Sequence, residues 1–208
     1  MRSTIGRVLL AICILYLATA LIAKGADLPL SPPGASPPIF VDAVGTHFEA
    51  RLGVFDHGVG SPEHNTIDIN GSIVTPRLNF GIQGYGAYFL PRFQFGGAAN
   101  LSGRTSFGYA DILLTLPITT WLFFEPFGGG AIHNGSLTET PTLSGLGCPL
   151  LFHAGASVGF PITEHWIVLG TFEHLSNGKG LGVNCGTNEQ GGGNQGLNNY
   201  GISVRYAF

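Results

Sequence analysis

The sequence predicts an all-β fold, an eight-stranded antiparallel transmembrane β-barrel. Charged residues make up only 10% of the 208-residue chain, whereas a soluble domain carries about 25%. Segments of roughly ten residues, separated by Gly, Pro and Asn, alternate between polar and apolar side chains. Beyond the N-terminal region, no apolar run reaches the ~18 residues that a transmembrane helix needs. A lipid-facing surface built from strands accounts for all three observations.

Polarity alternates with a period of two in the first, second and last candidate strands. This period puts one set of side chains on each face of a strand. An apolar set facing lipid and a polar set facing the lumen is the pattern of transmembrane barrels. The predicted outward set is Phe48, Ala50, Leu52, Val54, Ile67, Ile69, Ile73, Tyr200, Ile202, Val204, Tyr206 and Phe208, and the opposite set is His47, Glu49, Arg51, Asp68, Asn70, Ser72, Asn199, Ser203 and Arg205.

An even number of strands places both chain termini on the same side of the membrane. We expect that side to be periplasmic, with short turns at Pro117–Thr119 and Pro161–Thr163. The longer connections, 133–149 and 175–196, are then outside, while the segment 76–89 fits neither strand nor turn. The terminal Tyr-Ala-Phe resembles the assembly signal of outer-membrane proteins. The predicted strands are 45–56, 65–75, 89–100, 104–115, 120–132, 150–160, 163–174 and 197–208.

The N-terminal residues predict export. Arg2 and Arg7 precede the apolar run Val8–Ile22, and small residues follow it near Gly25. This order is typical of a cleaved signal peptide, with an uncleaved membrane anchor as the alternative. The destination is the outer membrane of a Gram-negative bacterium. The predicted organisation is a signal peptide at 1–25, a Pro-rich lead-in at 26–40 and an integral barrel at 41–208.

Composition argues against a soluble fold and against a nucleic-acid partner. A secreted soluble sandwich or lipocalin-like barrel would turn its apolar face inward, but it would also carry more Lys and Glu. The net charge of −3, without a basic cluster, gives no reason to expect binding to nucleic acid. Cys148 and Cys185 both fall in the predicted outer connections, which favours a disulfide formed in the periplasm. Two free buried thiols are the competing interpretation.

Most other ionisable residues are interpreted as structural. An eight-stranded barrel has a lumen too narrow for a channel, so charged side chains fill it. The histidines outside the strand-end motif described next lack the spacing of metal ligands, and we predict no metal or cofactor. The predicted lumen network is Glu49, Arg51, Asp68, Arg92 and Arg205, and the histidines interpreted as lumen or loop groups are His47, His64, His133, His153 and His165.

One stretch, where the seventh predicted strand meets its outer loop, indicates chemistry. His174 and Ser176 are two residues apart, so an extended backbone puts them on one face, the apolar outward face. Glu173 then faces the lumen. A histidine beside a serine can take its proton and create a nucleophile that attacks an ester carbonyl. The pair alone is weak evidence for catalysis, because a His and a Ser at a strand end are usually ordinary interfacial residues.

Neighbouring amides strengthen the hypothesis. Asn198 is the first outward residue of the last predicted strand, which pairs with the strand of His174. Asn177 and Asn194 could donate hydrogen bonds to an oxyanion. A cluster of polar side chains is therefore expected where a barrel normally presents apolar side chains to lipid.

The segments 174–178 (His-Leu-Ser-Asn-Gly) and 194–198 (Asn-Gln-Gly-Leu-Asn) resemble the lipid A 3-O-deacylases of the PagL type. The segments 49–54 and 129–135 also look like that family, so the resemblance extends over most of the mature chain. It implies an eight-stranded outer-membrane barrel that removes the 3-linked hydroxyacyl chain of lipid A with a His-Ser-Glu triad. By position, His174 resembles the base and Ser176 the nucleophile, and the oxyanion donors match Asn177 and Asn194.

The chain departs from the family at the triad acid, where Asn198 stands in place of Glu. An amide can orient an imidazole but cannot offset its positive charge, and in serine proteases this change costs about 10⁴ in turnover. The enzyme is then slow, or Glu189 substitutes as the acid, or activity is lost. The leading hypothesis is a serine esterase acting on lipid A of lipopolysaccharide in the outer leaflet, with Asn198 orienting His174.

Two other functions stay open. The first is a non-catalytic structural, adhesion or glycolipid-binding barrel, which the Glu-to-Asn departure favours. The second is an esterase acting on another membrane lipid, such as phospholipid. Pairing into a homodimer also stays open.

Overall fold

The computed structural model describes residues 44–82, 84–177 and 196–208. In these ranges the strands form one antiparallel sheet in sequence order, and the last strand pairs with the first. The predicted signal peptide and lead-in lie outside the described residues. The strands are β1 Glu49–His57, β2 Thr66–Val74, β3 Arg92–Asn100, β4 Phe107–Leu113, β5 Leu116–Thr119, β6 Leu122–His133, β7 Leu150–Pro161, β8 Trp166–Ser176 and β9 Leu197–Ala207.

Strands β4 and β5 are two parts of one physical strand. Both pair with β6, and the pairs Leu113–Phe127 and Leu116–Phe124 keep the same register across the gap. The gap lies opposite Pro126, which has no N–H to donate to the ladder. Its carbonyl still accepts a hydrogen bond from the N–H of Leu114, at 3.1 Å. The described sheet is therefore a closed eight-stranded antiparallel barrel, as predicted.

The two ends of the barrel differ. The terminus end carries Phe48 and Phe208, which are joined by a backbone hydrogen bond of 3.1 Å. The loop end carries the connections that follow β1, β3, β6 and β8. The predicted turn at Pro117–Thr119 is wrong, since these residues belong to β5 and the chain turns at 120–121. The segment 76–89, which fitted neither strand nor turn, contains a 3-10 helix, Gly84–Phe89.

The alternation predicted from the sequence separates lipid-facing from lumen-facing residues. Leu52 and Ile73 are 64% and 57% exposed on the outer wall, whereas Glu49 and Arg51, on the same strand as Leu52, are buried. His47 precedes β1 and is exposed. The charged side chains therefore face the lumen and the outer wall is apolar, the arrangement that lipid requires. No helix in the described ranges is long and apolar enough to cross a membrane.

A charged cluster fills the lumen near the terminus end. Glu125 accepts from Arg51 at 2.9 Å and from Arg205 at 3.4 Å, and Glu49 lies 3.1 Å from Arg205. Arg92 contacts both carboxylates. All five side chains are at least nine-tenths buried. The prediction of a charged lumen is confirmed, and Glu125 is a central member that the alternation did not identify.

A second polar cluster ties the connections together at the loop end. Asp68, assigned to the lumen network from the sequence, contacts His57 at 2.7 Å, and His57 contacts Glu63 at 3.1 Å. Glu63 also accepts from the N–H groups of Thr105 and Ser144, at 2.8 and 2.9 Å. Burial alone would raise the pKa of Glu63, but the hydrogen bonds from His57, Thr105 and Ser144 outweigh it and lower the pKa to about 2. One carboxylate thus holds three connections together.

Aromatic side chains line the terminus end from the β5–β6 turn to the end of β9. Trp121 stacks on Phe160 with ring centroids 6.2 Å apart, and Trp166 meets Tyr206 edge-on at 4.8 Å. Both tryptophans and Phe208 are exposed on the outer wall. Rings with a polar atom favour the boundary between acyl chains and water. This aromatic belt marks one edge of the lipid-facing wall.

Candidate functional site

Strands β8 and β9 bring the predicted histidine and asparagine together. Their antiparallel register makes His174 and Asn198 direct partners, as the sequence predicted. His174 Nδ1 lies 2.7 Å from Asn198 Oδ1. Since an amide oxygen only accepts, Nδ1 carries the proton and Nε2 remains the basic nitrogen. Both side chains are half-buried on the outer wall.

Ser176 is the last residue of β8 and follows His174 by two positions, so it has the same outward parity. It is half-buried and lies across from Phe152 on β7. Asn177 comes next and is buried, with 5% of its surface exposed. Three of the predicted site residues therefore come from one strand end.

The other predicted site residues lie outside the described residues. Asn194 and Glu189, predicted as an oxyanion donor and an alternative acid, both fall in the connection between β8 and β9. Cys185 falls there as well. Cys148 is disulfide-bonded and 3% exposed. Its pairing with Cys185 stays a prediction.

Gly196 is a site residue that the sequence did not single out. Its φ of +60° is a left-handed conformation that glycine adopts without strain. A Cβ at this position would lie 2.4 Å from Leu175 O and 2.9 Å from His174 Cε1. The backbone therefore passes against the imidazole as it enters β9, and only a residue without a side chain permits this. A glycine immediately before a strand was the available signal.

A lumen network supports the same strand ends from inside. Asn199 donates to Glu173 at 3.0 Å, one ladder position from the His174–Asn198 pair. Glu173 also contacts His153 at 3.4 Å, as predicted for a lumen-facing carboxylate. Asn199 accepts from the N–H of Gly58 at 2.9 Å. Interior hydrogen bonds thus fix the register that aligns the exterior pair.

The wall beside the site on the β7 side is made of small side chains. Ala154 is the β7 partner of His174, and Gly128 is the β6 partner of Ala154. Nearer the loop end, an apolar groove of about 290 Å³ opens between β6 and β7 and reaches Asn177, with Leu150 and Phe152 among its lining residues. On the β9 side, Phe172 and Tyr200 form a ring pair at 4.9 Å. The site therefore has an open, apolar flank.

Comparison with known proteins supports the fold. No protein-family model matches the chain, and no curated protein does. The crystal structure of the outer membrane enzyme PagL aligns with a TM-score of 0.51 at 12% identity, covering 77% of this chain and 99% of PagL. The N-terminal β-barrel domain of Pseudomonas aeruginosa OprF aligns with a TM-score of 0.49 at 10% identity, covering 78% of this chain and 98% of that domain.

The likeness to PagL is at low sequence identity, so it concerns the architecture and not the chemistry. Together with the apolar wall and the aromatic belt, it defines the class of the protein. The chain is an integral β-barrel of the bacterial outer membrane.

Proposed function

We propose that the protein is an outer-membrane serine esterase that removes the ester-linked 3-O-acyl chain from lipid A. The observation that carries the proposal is the 2.7 Å contact between His174 Nδ1 and Asn198 Oδ1 on the lipid-facing wall. A polar pair inside the barrel would serve folding, whereas this pair is hydrogen-bonded on the outer wall, where a barrel presents mostly apolar side chains to lipid. Ser176, of the same parity, supplies the nucleophile.

The proposed reaction has two steps. Ser176 Oγ attacks the ester carbonyl while its proton passes to His174 Nε2, and the tetrahedral oxyanion accepts hydrogen bonds from amide donors, for which Asn177 and Asn194 are the candidates. The carbonyl re-forms, the ester C–O bond breaks, and His174 returns the proton to the sugar oxygen. Water, activated by His174, then hydrolyses the acyl-enzyme and releases the fatty acid.

Height along the barrel supports a lipid with its ester near the headgroup. Ser176 is ten residues beyond Trp166 of the aromatic belt on the same strand. At ~3.3 Å per residue and a tilt of ~40°, this separation is ~25 Å along the membrane normal, the height of the apolar band of such barrels. The proposed nucleophile therefore lies at the opposite boundary from the belt, where the acyl esters of lipid A begin. The apolar groove beside Asn177 would accept part of an acyl chain.

Asn198 also favours a second candidate, a barrel that binds glycolipid headgroups without cleaving them. An amide leaves the charge of a protonated His174 uncompensated, whereas it suits hydrogen bonding to sugar hydroxyls. A third candidate keeps the esterase chemistry but acts on phospholipid.

The test is expression of the protein and of Ser176→Ala in a Gram-negative host, followed by mass spectrometry of lipid A and phospholipids. The proposal expects loss of one hydroxyacyl chain from lipid A with the wild type only. Ser102→Ala is the matched control, because Ser102 is an exposed serine of the β3–β4 connection. Unchanged lipid A, with folded wild-type barrel present, favours the barrel that binds glycolipid without cleaving it. Loss of an acyl chain from phospholipid favours the esterase that acts on phospholipid.

A further inference from the structure

The connection between β2 and β3 has a composition that a water-facing turn does not explain. The fourteen residues from Leu78 to Pro91 contain no charged side chain, although they lie outside the strands. Four large apolar or aromatic side chains in this segment are exposed: Phe80 67%, Ile82 49%, Tyr85 86% and Phe89 66%. Several large exposed apolar side chains in one short segment indicate a contact site.

The segment is held in a defined conformation by contacts at its two ends. Its neck is closed by a hydrogen bond from Leu78 N–H to Pro91 O at 3.1 Å, and Leu90 beside it is buried. Arg77 lies 5.2 Å from the ring centroid of Tyr88 and donates to Thr115 O at 3.3 Å. Arg77, at the base of the segment, thus attaches it to the strand formed by β4 and β5, while four large apolar or aromatic side chains of the segment stay exposed.

The exposed surface is continuous with the lipid-facing wall. The segment directly joins two strands whose outward residues are apolar, with Ile73 57% exposed on β2 and Phe95 55% exposed on β3. It lies at the terminus end, as does the aromatic belt that includes Trp121 and Trp166. Because the barrel is integral to the membrane, the surface that already adjoins this segment is lipid.

We propose that residues 79–82 and 84–90 form an interfacial anchor, inserted into the headgroup and adjoining acyl region of the leaflet at the terminus end. Tyrosine and phenylalanine favour this depth, where the ring is apolar and the tyrosine hydroxyl reaches water. The anchor would hold the depth of the barrel in the bilayer. It does not depend on the proposed esterase activity.

The test measures the depth of a tryptophan placed in the segment. The full-length barrel carrying Trp121→Phe and Trp166→Phe provides a background without native tryptophan, to which Tyr85→Trp is added. The matched control is Glu164→Trp, since Glu164 is exposed in the β7–β8 turn at the same end. Both are inserted into phosphatidylethanolamine–phosphatidylglycerol vesicles whose acyl chains are brominated near either the carbonyl or the methyl end.

We expect carbonyl-end bromine to quench the Tyr85→Trp emission about twofold and methyl-end bromine to quench it less, the profile of an interfacial side chain. Glu164→Trp is expected to be quenched by aqueous acrylamide only. The proposal is overturned if Tyr85→Trp behaves like this control. It is also overturned if shielding from acrylamide appears without bromine quenching and increases with the protein-to-lipid ratio, because the occupant is then a second copy of the chain.

A second tryptophan variant keeps the test decisive if Tyr85→Trp fails to fold. Phe89→Trp in the same background is expected to give the same profile, and the heat-dependent electrophoretic mobility of a folded barrel identifies correctly inserted samples. If both reporters fold and neither is quenched by bromine, the segment contacts water and the proposal is wrong.

Discussion

Replacing Asn198 with Asp tests how much of the rate acceleration due to a triad acid is already supplied by the amide of Asn198. Asp is isosteric with Asn and puts a carboxylate oxygen where Oδ1 now lies, 2.7 Å from His174 Nδ1. Glu would add a methylene to a contact that is already short. Asn198→Asp therefore changes the charge of the partner and leaves the geometry of the pair unchanged.

The expected gain in rate is about fivefold. The 10⁴ cost of an amide in serine proteases arises largely from the wrong histidine tautomer, but here the amide oxygen already selects the tautomer with Nδ1 protonated. The remaining difference is between a neutral hydrogen bond, worth ~1 kcal/mol, and a charge-assisted one, worth ~2 kcal/mol. A difference of ~1 kcal/mol in the transition state is about fivefold in rate.

The assay is the single-turnover rate of acyl release from purified lipid A with barrel in excess, followed by mass spectrometry. Asn198→Ala is the companion variant, which we expect to slow the rate by at least about a hundredfold, because no acceptor then orients His174. A gain of a thousandfold or more for Asp would show that Asn198 does not set the tautomer. Equal rates for the wild type and both variants would show that the pair takes no part in the reaction.

Three further predictions concern the framework around the site. Gly196→Ala is expected to reduce acyl release strongly, because its Cβ would lie 2.9 Å from His174 Cε1. The control is Gly103→Ala, which has φ +73° and no atom within 4 Å of the added Cβ, and it is expected to cost only about 1 kcal/mol of stability. Equal effects of the two variants on the rate of acyl release would refute the contact with His174. Glu63 has a pKa of about 2 against an ordinary 4.5, so it stabilises the fold above pH 4.5, and this contribution is lost as the pH falls from 4.5 toward 2. In urea titrations, the unfolding free energy of Glu63→Gln is expected to fall less over this pH range than that of the wild type, and equal slopes would refute the prediction. Glu125→Gln leaves three buried guanidinium groups with one carboxylate and is expected to lower the unfolding free energy by about 3–5 kcal/mol, measured by urea titration against the exposed Glu164→Gln, which is expected to change nothing measurable.

The fold was accessible from the sequence because the period of two acts locally. Each strand displays its own alternation, so Leu52 and Arg51 can be assigned to opposite faces without knowledge of the neighbouring strands. The prediction was weakest where local signals conflict. Pro117 was predicted as a turn residue but belongs to β5. The pairing of β5 with β6 is irregular between Pro117 and Thr119, and such a position tolerates a residue without an N–H.

The candidate site was accessible only in part. His174 and Ser176 share a strand, so their common face follows from spacing, and Asn198 follows once the last two strands are paired. The strand register, which makes His174 and Asn198 direct partners, depends on the closure of the whole barrel and on the interior Glu173–Asn199 hydrogen bond. No local pattern contains that information.

By itself, then, the sequence determined the class of barrel, the faces of its strands and the residue types of the candidate site, because all of these are properties of short segments. The tertiary structure alone decided which groups meet. It placed Glu63 of the β1–β2 connection against two other connections, Glu125 among three arginines and the backbone of Gly196 against an imidazole. Such contacts join residues far apart in the chain, and their distances exist only when the sheet closes.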